Sequence, residues 1–117
     1  MCKICSKNNL YGWDHVKESA LKEFIHRIIS HFQISRIILH GSYARGDYHE
    51  NSDIDLIIVG DFKEKFFNRI GLILDYVPNN IEIEPLVYTE SEFRKMVENE
   101  NPFILTAISE GIDLLSD

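Results

Sequence analysis

The sequence predicts an α/β (α+β) domain with a small three-stranded mixed sheet flanked by helices, in the order α-β-α-β-α-β-α. Apolar residues recur with helical spacing in some segments, and short β-branched runs lie between them, separated by glycine, proline and asparagine. A chain of 117 residues is long enough for one hydrophobic core but not for two. We therefore expect a flexible leader over residues 1–12 and a single domain over 13–117.

The first half of the chain alternates helical and strand patterns. Apolar spacing predicts a helix over 13–32, with Asp14 as its candidate N-cap. The run SRIILH predicts a strand over 35–40, a helical turn is expected to begin 43–50, and DIDLIIV predicts the strongest strand over 53–59. Because the connection between these strands is too short for a full crossover helix, we expect them to be antiparallel or joined by a small helix.

The second half continues the alternation. Apolar spacing predicts a helix over 62–77, and after a Pro-Asn-Asn turn the run IEIEPLVY alternates as a strand over 81–88. Pro85 cannot donate a ladder hydrogen bond, so this strand is expected at a sheet edge. Thr89 and Glu92 have the spacing of a capping box.

Two helices are expected at the C-terminal end. The capping box should open a helix over 90–99, and a last helix is expected over 102–110, ended by Gly111.

The charge balance limits the partners. Nineteen acidic residues against twelve basic ones give a formal net charge of −7, without the basic cluster that phosphate-binding surfaces usually show. We therefore expect no direct nucleic-acid binding. The longest apolar stretches are a few residues long and the start MCKICSKNNLYGW has no apolar signal core, so we expect no membrane association and a cytoplasmic location.

The two cysteines, Cys2 and Cys5, form one C-x-x-C pair. A structural zinc site needs four ligands, and only His15 lies nearby as a third candidate. Free thiols are the simpler interpretation. Redox catalysis is disfavoured because no thioredoxin-like strand precedes the pair.

Gly41 and Ser42 follow a strand and precede a helical turn. Backbone amides and the Ser42 hydroxyl could form an anion pocket there, although a Gly-Ser pair alone is usually only a turn. Gly41 and Gly46 have the spacing of a Walker A loop, but Asp47 and Tyr48 stand where Lys and Ser or Thr are required. The loop is therefore not a P-loop.

Asp53 and Asp55 stand two positions apart at the beginning of a strand, so both should project from one face, about 7 Å apart along the chain. Two such carboxylates repel unless a cation lies between them, and oxygen ligands favour Mg²⁺ or Mn²⁺. Phosphatases of the haloacid-dehalogenase type and many glycosyltransferases place D-x-D after the apolar strand, so both classes are disfavoured. Glu82 and Glu84, again two apart, are candidates for a third carboxylate.

Residues 41–56, GSYARGDYHENSDIDL, combine a Gly-Ser pair, ten residues and Asp-x-Asp before an apolar strand. This pattern resembles the minimal nucleotidyltransferases of the DNA polymerase β-like nucleotidyltransferase superfamily. Many of these proteins are encoded beside a HEPN-domain partner, as the antitoxin of a toxin–antitoxin pair. The element order is similar to that nucleotidyltransferase fold from about residue 14 onward.

The resemblance implies a metal-dependent transfer of a nucleoside monophosphate, AMP from ATP or another NTP, to a hydroxyl of a HEPN-type partner protein. It implies that Gly41 and Ser42 hold the β- and γ-phosphates and that Arg45 steadies phosphates or braces the loop. Any oligomer would form through the partner complex.

The resemblance also implies the catalytic and metal-binding acids. Asp53, Asp55 and a third carboxylate would bind two Mg²⁺ ions, for which Mn²⁺ could substitute. We take Glu84 as the third acid because it stands four residues before Tyr88, with Glu82 as the alternative.

Two other functions stay open. The chain could be an antitoxin that neutralises its partner by binding alone, with exposed Phe103 or Ile112 in the interface, or it could modify a small molecule as aminoglycoside nucleotidyltransferases do. Residues expected to have no direct role are His40 and His49, as packing or surface residues, and Phe66, Phe67 and Tyr76, as core.

Overall fold

The computed structural model describes residues 15–49 and 52–115. The predicted leader, the cysteine pair and the N-cap at Asp14 lie outside these residues, so the predictions about them stay untested. Within the described ranges, no helix combines the length and the apolar content needed to cross a bilayer.

The described residues form five helices and four strands in one α+β domain, which confirms the predicted class. In chain order, the elements are α1 His15–His31, β1 Gln33–His40, α2 Ser42–Arg45, β2 Ile54–Asp61, α3 Phe66–Leu74, β3 Ile83–Thr89, α4 Glu90–Glu98, α5 Pro102–Glu110 and β4 Ile112–Asp113.

The strands form one mixed sheet in the order β3-β2-β1-β4. β1 pairs antiparallel with β2 and with β4, whereas β2 and β3 are parallel. Both expectations for the first connection hold, because β1 and β2 are antiparallel and the four-residue α2 lies between them. β3 is an edge strand, as Pro85 predicted.

The two faces of the sheet are covered by different helices. Alternate residues of β2, such as Leu56 and Ile58, pack in a core cluster with α1 and α3. The residues that alternate with them along β2, Ile57 and Val59, pack with α4 and α5. This alternation confirms that the two sets point to opposite faces.

Arg69 connects the two layers around the edge of β3. Its buried guanidinium donates to Glu92 Oε1 at 2.6 Å and Oε2 at 3.2 Å, and to the Val87 carbonyl at 3.3 Å. Glu92 also accepts from the Thr89 amide at 2.8 Å, which completes the predicted capping box. The hydrogen bond from Arg69 lowers the pKa of Glu92 despite partial burial. One ion pair therefore joins α3 to the start of α4.

Four sequence predictions about the periphery were wrong. A fourth strand, β4, is present because Ile112 and Asp113 pair with β1, and two residues are too few to show a strand period. Ile112, expected at an exposed interface, consequently packs against the core.

The third helix begins at Phe66 rather than at residue 62, because Phe62 is buried in the core against Phe32. Phe67, predicted as core, is 84% exposed. The face of α3 that points inward carries Arg69 and Ile73, which places Phe67 on the opposite side.

Candidate functional site

Three neighbouring strands place His40, Asp55 and Glu84 in one row across the sheet. The Cα register pairs His40 with Asp55 and Asp55 with Glu84. Since neighbouring strands lie about 4.8 Å apart, these side chains are immediate neighbours. Asp55 projects to the same face as Ile57, the face covered by α4 and α5.

The structure brings the three predicted acids together. Asp53 lies one residue before β2, two positions from Asp55. The pKa of Glu84 is raised, first by a hydrogen bond to the Asp55 carboxyl, then by the Asp55 charge, by partial burial, and by the charge and a hydrogen bond of Asp53. Asp53 and Asp55 are therefore both close enough to Glu84 to interact with its carboxyl group.

Glu82, the alternative third acid, occupies a different place. It precedes β3 and is exposed, and its carbonyl accepts from the Ile54 amide at 3.0 Å. Glu84, rather than Glu82, is the register partner of Asp55.

Asp53, Asp55 and Glu84 form what we call the acidic cluster. Their carboxylate oxygens are a donor set that fits a hard divalent cation. In the described part of the chain, no three His, Cys, Asp or Glu side chains already stand in an arrangement that could hold a metal ion. Instead, the neighbouring Asp55 carboxyl, through a hydrogen bond and its charge, raises the pKa of Glu84 and so favours a proton on Glu84. A cation would take the place of that proton, and carboxylate oxygens are the ligands that Mg²⁺ prefers. The carboxyl groups would turn toward the ion on binding.

Gly41 lies directly against the acidic cluster. Its backbone has φ 73° and ψ −153°, a conformation that only glycine adopts readily. A Cβ at this position would stand 2.3 Å from Asp55 Oδ2. The glycine is therefore required both by the turn and by the close approach of the carboxylate.

Ser42 begins the single-turn helix α2. The amides of Ala44 and Arg45 both donate to the Gly41 carbonyl at 3.1 Å, so the Ser42 amide precedes the first intrahelical bonds. Gly46, with φ 88°, ends the turn. The Gly-Ser pair thus forms a tight corner beside Asp55.

Arg45 places a cation at the same site. Its Nε lies 3.3 Å from Asp47 Oδ2, and both side chains are exposed. This surface ion pair is weakly held, and the Arg45 side chain lines the cavity described below.

The corner is braced by residues that the sequence analysis did not single out. Tyr43 is buried and stacks on Tyr48, with ring centroids 4.3 Å apart and planes at 11°. The Tyr43 hydroxyl also hydrogen-bonds to Lys17 of α1. Two tyrosines five positions apart in an otherwise polar loop were the available signal.

His40 contributes more to this site than its sequence context indicated. Its ring meets Phe103 edge-on at 5.5 Å, and its buried Nε2 has no hydrogen-bond partner among the described residues. Burial lowers the pKa of His40, an effect partly opposed by the Asp55 charge. The signal was its position at the strand end, directly before Gly41. His49 is exposed, as expected for a surface residue.

A cavity of about 720 Å³ opens in front of the acidic cluster, at the edge of β3 between α3 and α5. One end of it is polar and the other is apolar. The polar end is lined by Gly41, Arg45, Asp55 and Glu84, and the apolar end mainly by Ile70, Leu74, Pro85, Leu86 and Phe103. All the predicted site residues except Ser42 and Asp53 line this one cavity.

Residues 21–110 of this chain match the family model of the nucleotidyltransferase domain. The chain belongs to the nucleotidyltransferase domain family. The resemblance of residues 41–56 to a minimal nucleotidyltransferase is therefore confirmed.

Two curated relatives come from Methanocaldococcus jannaschii. "Putative protein adenylyltransferase MJ0604" is 41% identical over 85 residues, covering 69% of this chain and 82% of the relative. "Putative protein adenylyltransferase MJ0141" is 51% identical over 79 residues, covering 57% of this chain and 75% of the relative. The nucleotidyltransferase is thus similar to proteins named as protein adenylyltransferases.

A solved structure supports the fold. The crystal structure of a "putative nucleotidyltransferase" from Sulfolobus solfataricus superposes with a TM-score of 0.54 at 28% identity, covering 66% of this chain and 70% of that one. The α+β architecture is therefore that of a nucleotidyltransferase, with one short strand more than the sequence predicted.

Proposed function

We propose that this nucleotidyltransferase moves AMP from ATP to a hydroxyl group of a partner protein. The observation that carries the proposal is the grouping of Asp53, Asp55 and Glu84, of which Asp55 and Glu84 line the polar end of one cavity together with Gly41. The names of the two archaeal relatives support a protein as the acceptor.

The Gly-Ser corner would hold the triphosphate. Gly41 lets an anion approach the backbone closely, and Ser42 adds an amide and a hydroxyl. Arg45, on the cavity wall, would steady the phosphates. These roles place the negative phosphates beside the acidic cluster, a juxtaposition that requires cations between them.

The acidic cluster would hold two Mg²⁺ ions, with Mn²⁺ as a substitute. When bound, the ions would stabilise charge on the attacking and leaving oxygens. Asp53, Asp55 and Glu84 would supply the carboxylates that hold these ions. The acceptor oxygen would form a bond to the α-phosphorus as its proton passes toward Glu84. The bond from that phosphorus to the bridging oxygen would break, and pyrophosphate would leave.

The partner would be a HEPN-type toxin, which this chain would inactivate as its antitoxin. The motif over residues 41–56 supports this pairing through its resemblance to antitoxins of that kind. Neutralisation by binding alone is the alternative that the experiment must separate. The complete set of three acids favours transfer, since pure binding would not need a shared cation site.

The test uses ATP radiolabelled at the α- or the γ-phosphate, incubated with Mg²⁺, the protein and lysate of its own source. We expect a protein band labelled from α-ATP only, absent with Asp53→Asn/Asp55→Asn. The matched control is Asp61→Asn/Asp75→Asn, which makes the same charge change at exposed positions outside the cavity and should transfer normally.

The other outcomes are informative. A band labelled only from γ-ATP would indicate a kinase and contradict the mechanism. Absence of label from either nucleotide, together with a partner still neutralised by the Asp53→Asn/Asp55→Asn variant, would indicate an antitoxin that acts by binding.

A further inference from the structure

The third helix exposes an apolar face that the core uses only in part, because Ile70 packs against the core while Phe67 and Leu74 are exposed. Phe67, 84% exposed, and Leu74, 44% exposed, lie seven positions apart on α3, with Ile70 between them. Residues at this spacing share one helix face. We call these three residues the α3 stripe.

Gly71 lies within this face. It is exposed, and a Cβ built on it would meet nothing within 4 Å. A partner can therefore approach the α3 backbone closely between Phe67 and Leu74.

The stripe runs into the cavity of the acidic cluster. Ile70 and Leu74 line its apolar end, opposite Phe103 of α5, and the edge strand with Pro85 forms the wall between them. The outer carbonyl of Val87 is already taken by Arg69, and Pro85 has no amide to donate. An occupant would therefore bind this wall mainly through apolar contact rather than by adding a strand.

The length of the α3 stripe indicates whether the nucleotide or the acceptor protein covers it. Seven helical residues at 1.5 Å rise extend the apolar surface by about 10 Å along α3, and the Phe67 end lies beyond the cavity lining. A nucleotide whose phosphates lie at Gly41 has no atoms to cover Phe67 as well as the cavity. A protein segment can cover both.

Charge favours a basic segment. Glu110 lines the same cavity from the end of α5 and makes no ion pair among the described residues, and Glu82 and Glu84 lie on or beside the edge strand. Cations bound at Asp53, Asp55 and Glu84 would leave Glu110 uncompensated. A lysine or arginine beside the acceptor hydroxyl would complement it.

We propose that the α3 stripe and the apolar end of the cavity form the docking site for the acceptor protein. The docking segment would place apolar residues on Phe67 and Leu74, a basic residue near Glu110, and its hydroxyl at Glu84. This inference rests on the proposed function for the identity of its occupant, and it makes the specificity of transfer a property of α3 and α5.

The test measures binding of a fluorescent peptide by anisotropy, with Mg²⁺ and a non-hydrolysable ATP analogue present. The peptide has leucines flanking a central tyrosine and lysines at both ends. Two further peptides replace the lysines by glutamates or the leucines by serines. We expect the lysine–leucine peptide to bind at least about tenfold more tightly than either, because both the apolar contact and the charge are needed.

Variants locate the site. Phe67→Ser/Leu74→Gln should weaken peptide binding by at least about tenfold and leave the affinity for the ATP analogue unchanged. The matched control is Leu105→Gln/Ile108→Ser, whose side chains are 39% and 41% exposed on α5 but do not line the cavity. It should bind the peptide as the unchanged protein does.

Several outcomes would overturn the docking site. The first is peptide binding that the Phe67→Ser/Leu74→Gln substitutions do not weaken. The second is loss of ATP-analogue binding, rather than peptide binding, in that variant. The third is a dimer of the unchanged protein that the same substitutions cause to dissociate. Failure of the proposed function looks different: the ATP analogue would not bind, or no α-label would be transferred, while the peptide pattern would still hold.

Discussion

The two faces of the sheet are made by alternate residues of the same strands, yet they end differently beside Gly41. On the α1 and α3 side, Leu39, Ile54 and Leu56 are fully buried in a continuous apolar core. On the α4 and α5 side, the apolar cluster stops at Ile38 and Ile57, and the next residues on this face of the two strands are His40 and Asp55. One face therefore carries the main apolar core, and the other carries the candidate site residues.

The comparison shows why carboxylates can stand at the end of a buried strand. Asp55 is flanked in the sequence by Ile54 and Leu56, both buried, so its backbone is held rigidly. Its side chain nevertheless reaches an open cavity because α5 covers only part of its face. Rigid strands thus position charged groups without burying them fully.

The largest effect on stability is expected on the core face. Leu56→Ala should lower the free energy of unfolding by about 2–5 kcal/mol, because it removes a fully buried side chain and leaves a cavity. Urea unfolding monitored by circular dichroism measures this loss. Asp55→Asn, its neighbour on the other face, should leave stability nearly unchanged while abolishing transfer. Equal destabilisation by both substitutions would contradict the division between the faces.

The second-largest loss of stability is expected at Gly41, where the core meets the candidate site. Gly41→Ala should cost about 1–3 kcal/mol, because alanine disfavours this backbone conformation and its Cβ would meet the Asp55 carboxylate. Transfer should be lost as well, since Asp55 must move. Gly46→Ala is the control: it has a positive φ but open space, so only the conformational cost should appear. If both variants retain activity equally, the contact with Asp55 has no role.

A smaller loss of stability is expected at Arg69, which joins the helices that cover the two faces of the sheet. Arg69→Leu should lower the free energy of unfolding by about 1–2 kcal/mol, because Glu92 and the Val87 carbonyl lose a charged donor while the leucine keeps apolar contacts. Thermal unfolding measures the loss. Arg27→Leu removes an exposed pair with Glu23 and should change little. If Arg69→Leu lowered the free energy of unfolding as much as Leu56→Ala does, the Arg69–Glu92 ion pair would contribute as much to stability as the buried core side chain.

The smallest expected effect is a gain in stability rather than a loss. Neighbouring carboxylates raise the pKa of Glu84 above its ordinary value of 4.5, so its contribution to stability is fully present below 4.5 and is lost as pH rises through the raised pKa. Without metal, Glu84→Gln should therefore raise Tm slightly at neutral pH, and this gain should vanish in acid. Added Mg²⁺ should stabilise the unchanged protein more than the variant.

Glu82→Gln serves as the control for that measurement. Glu82 is exposed and precedes the strand, so its substitution should leave the pH dependence of Tm unaltered. If Glu82→Gln gave the larger shift, the third carboxylate of the cluster would be Glu82.

Local patterns in the sequence determined most of the architecture. Period-two alternation placed Asp55 on the face opposite Leu56, the missing amide of Pro85 placed β3 at an edge, and Thr89 with Glu92 formed the capping box. These features depend on neighbours a few positions away, which the sequence displays directly. The motif over residues 41–56 likewise indicated the nucleotidyltransferase family.

Only the tertiary structure decided features that depend on distant residues. The register between β2 and β3 placed Glu84 rather than Glu82 beside Asp55, and the packing of α5 turned His40 and Phe103 into cavity walls. Phe67 was mistaken for core because spacing shows that a helix has an apolar face but not which face a sheet will cover. Burial and register arise from contacts between segments far apart in the chain, so no local pattern contains them.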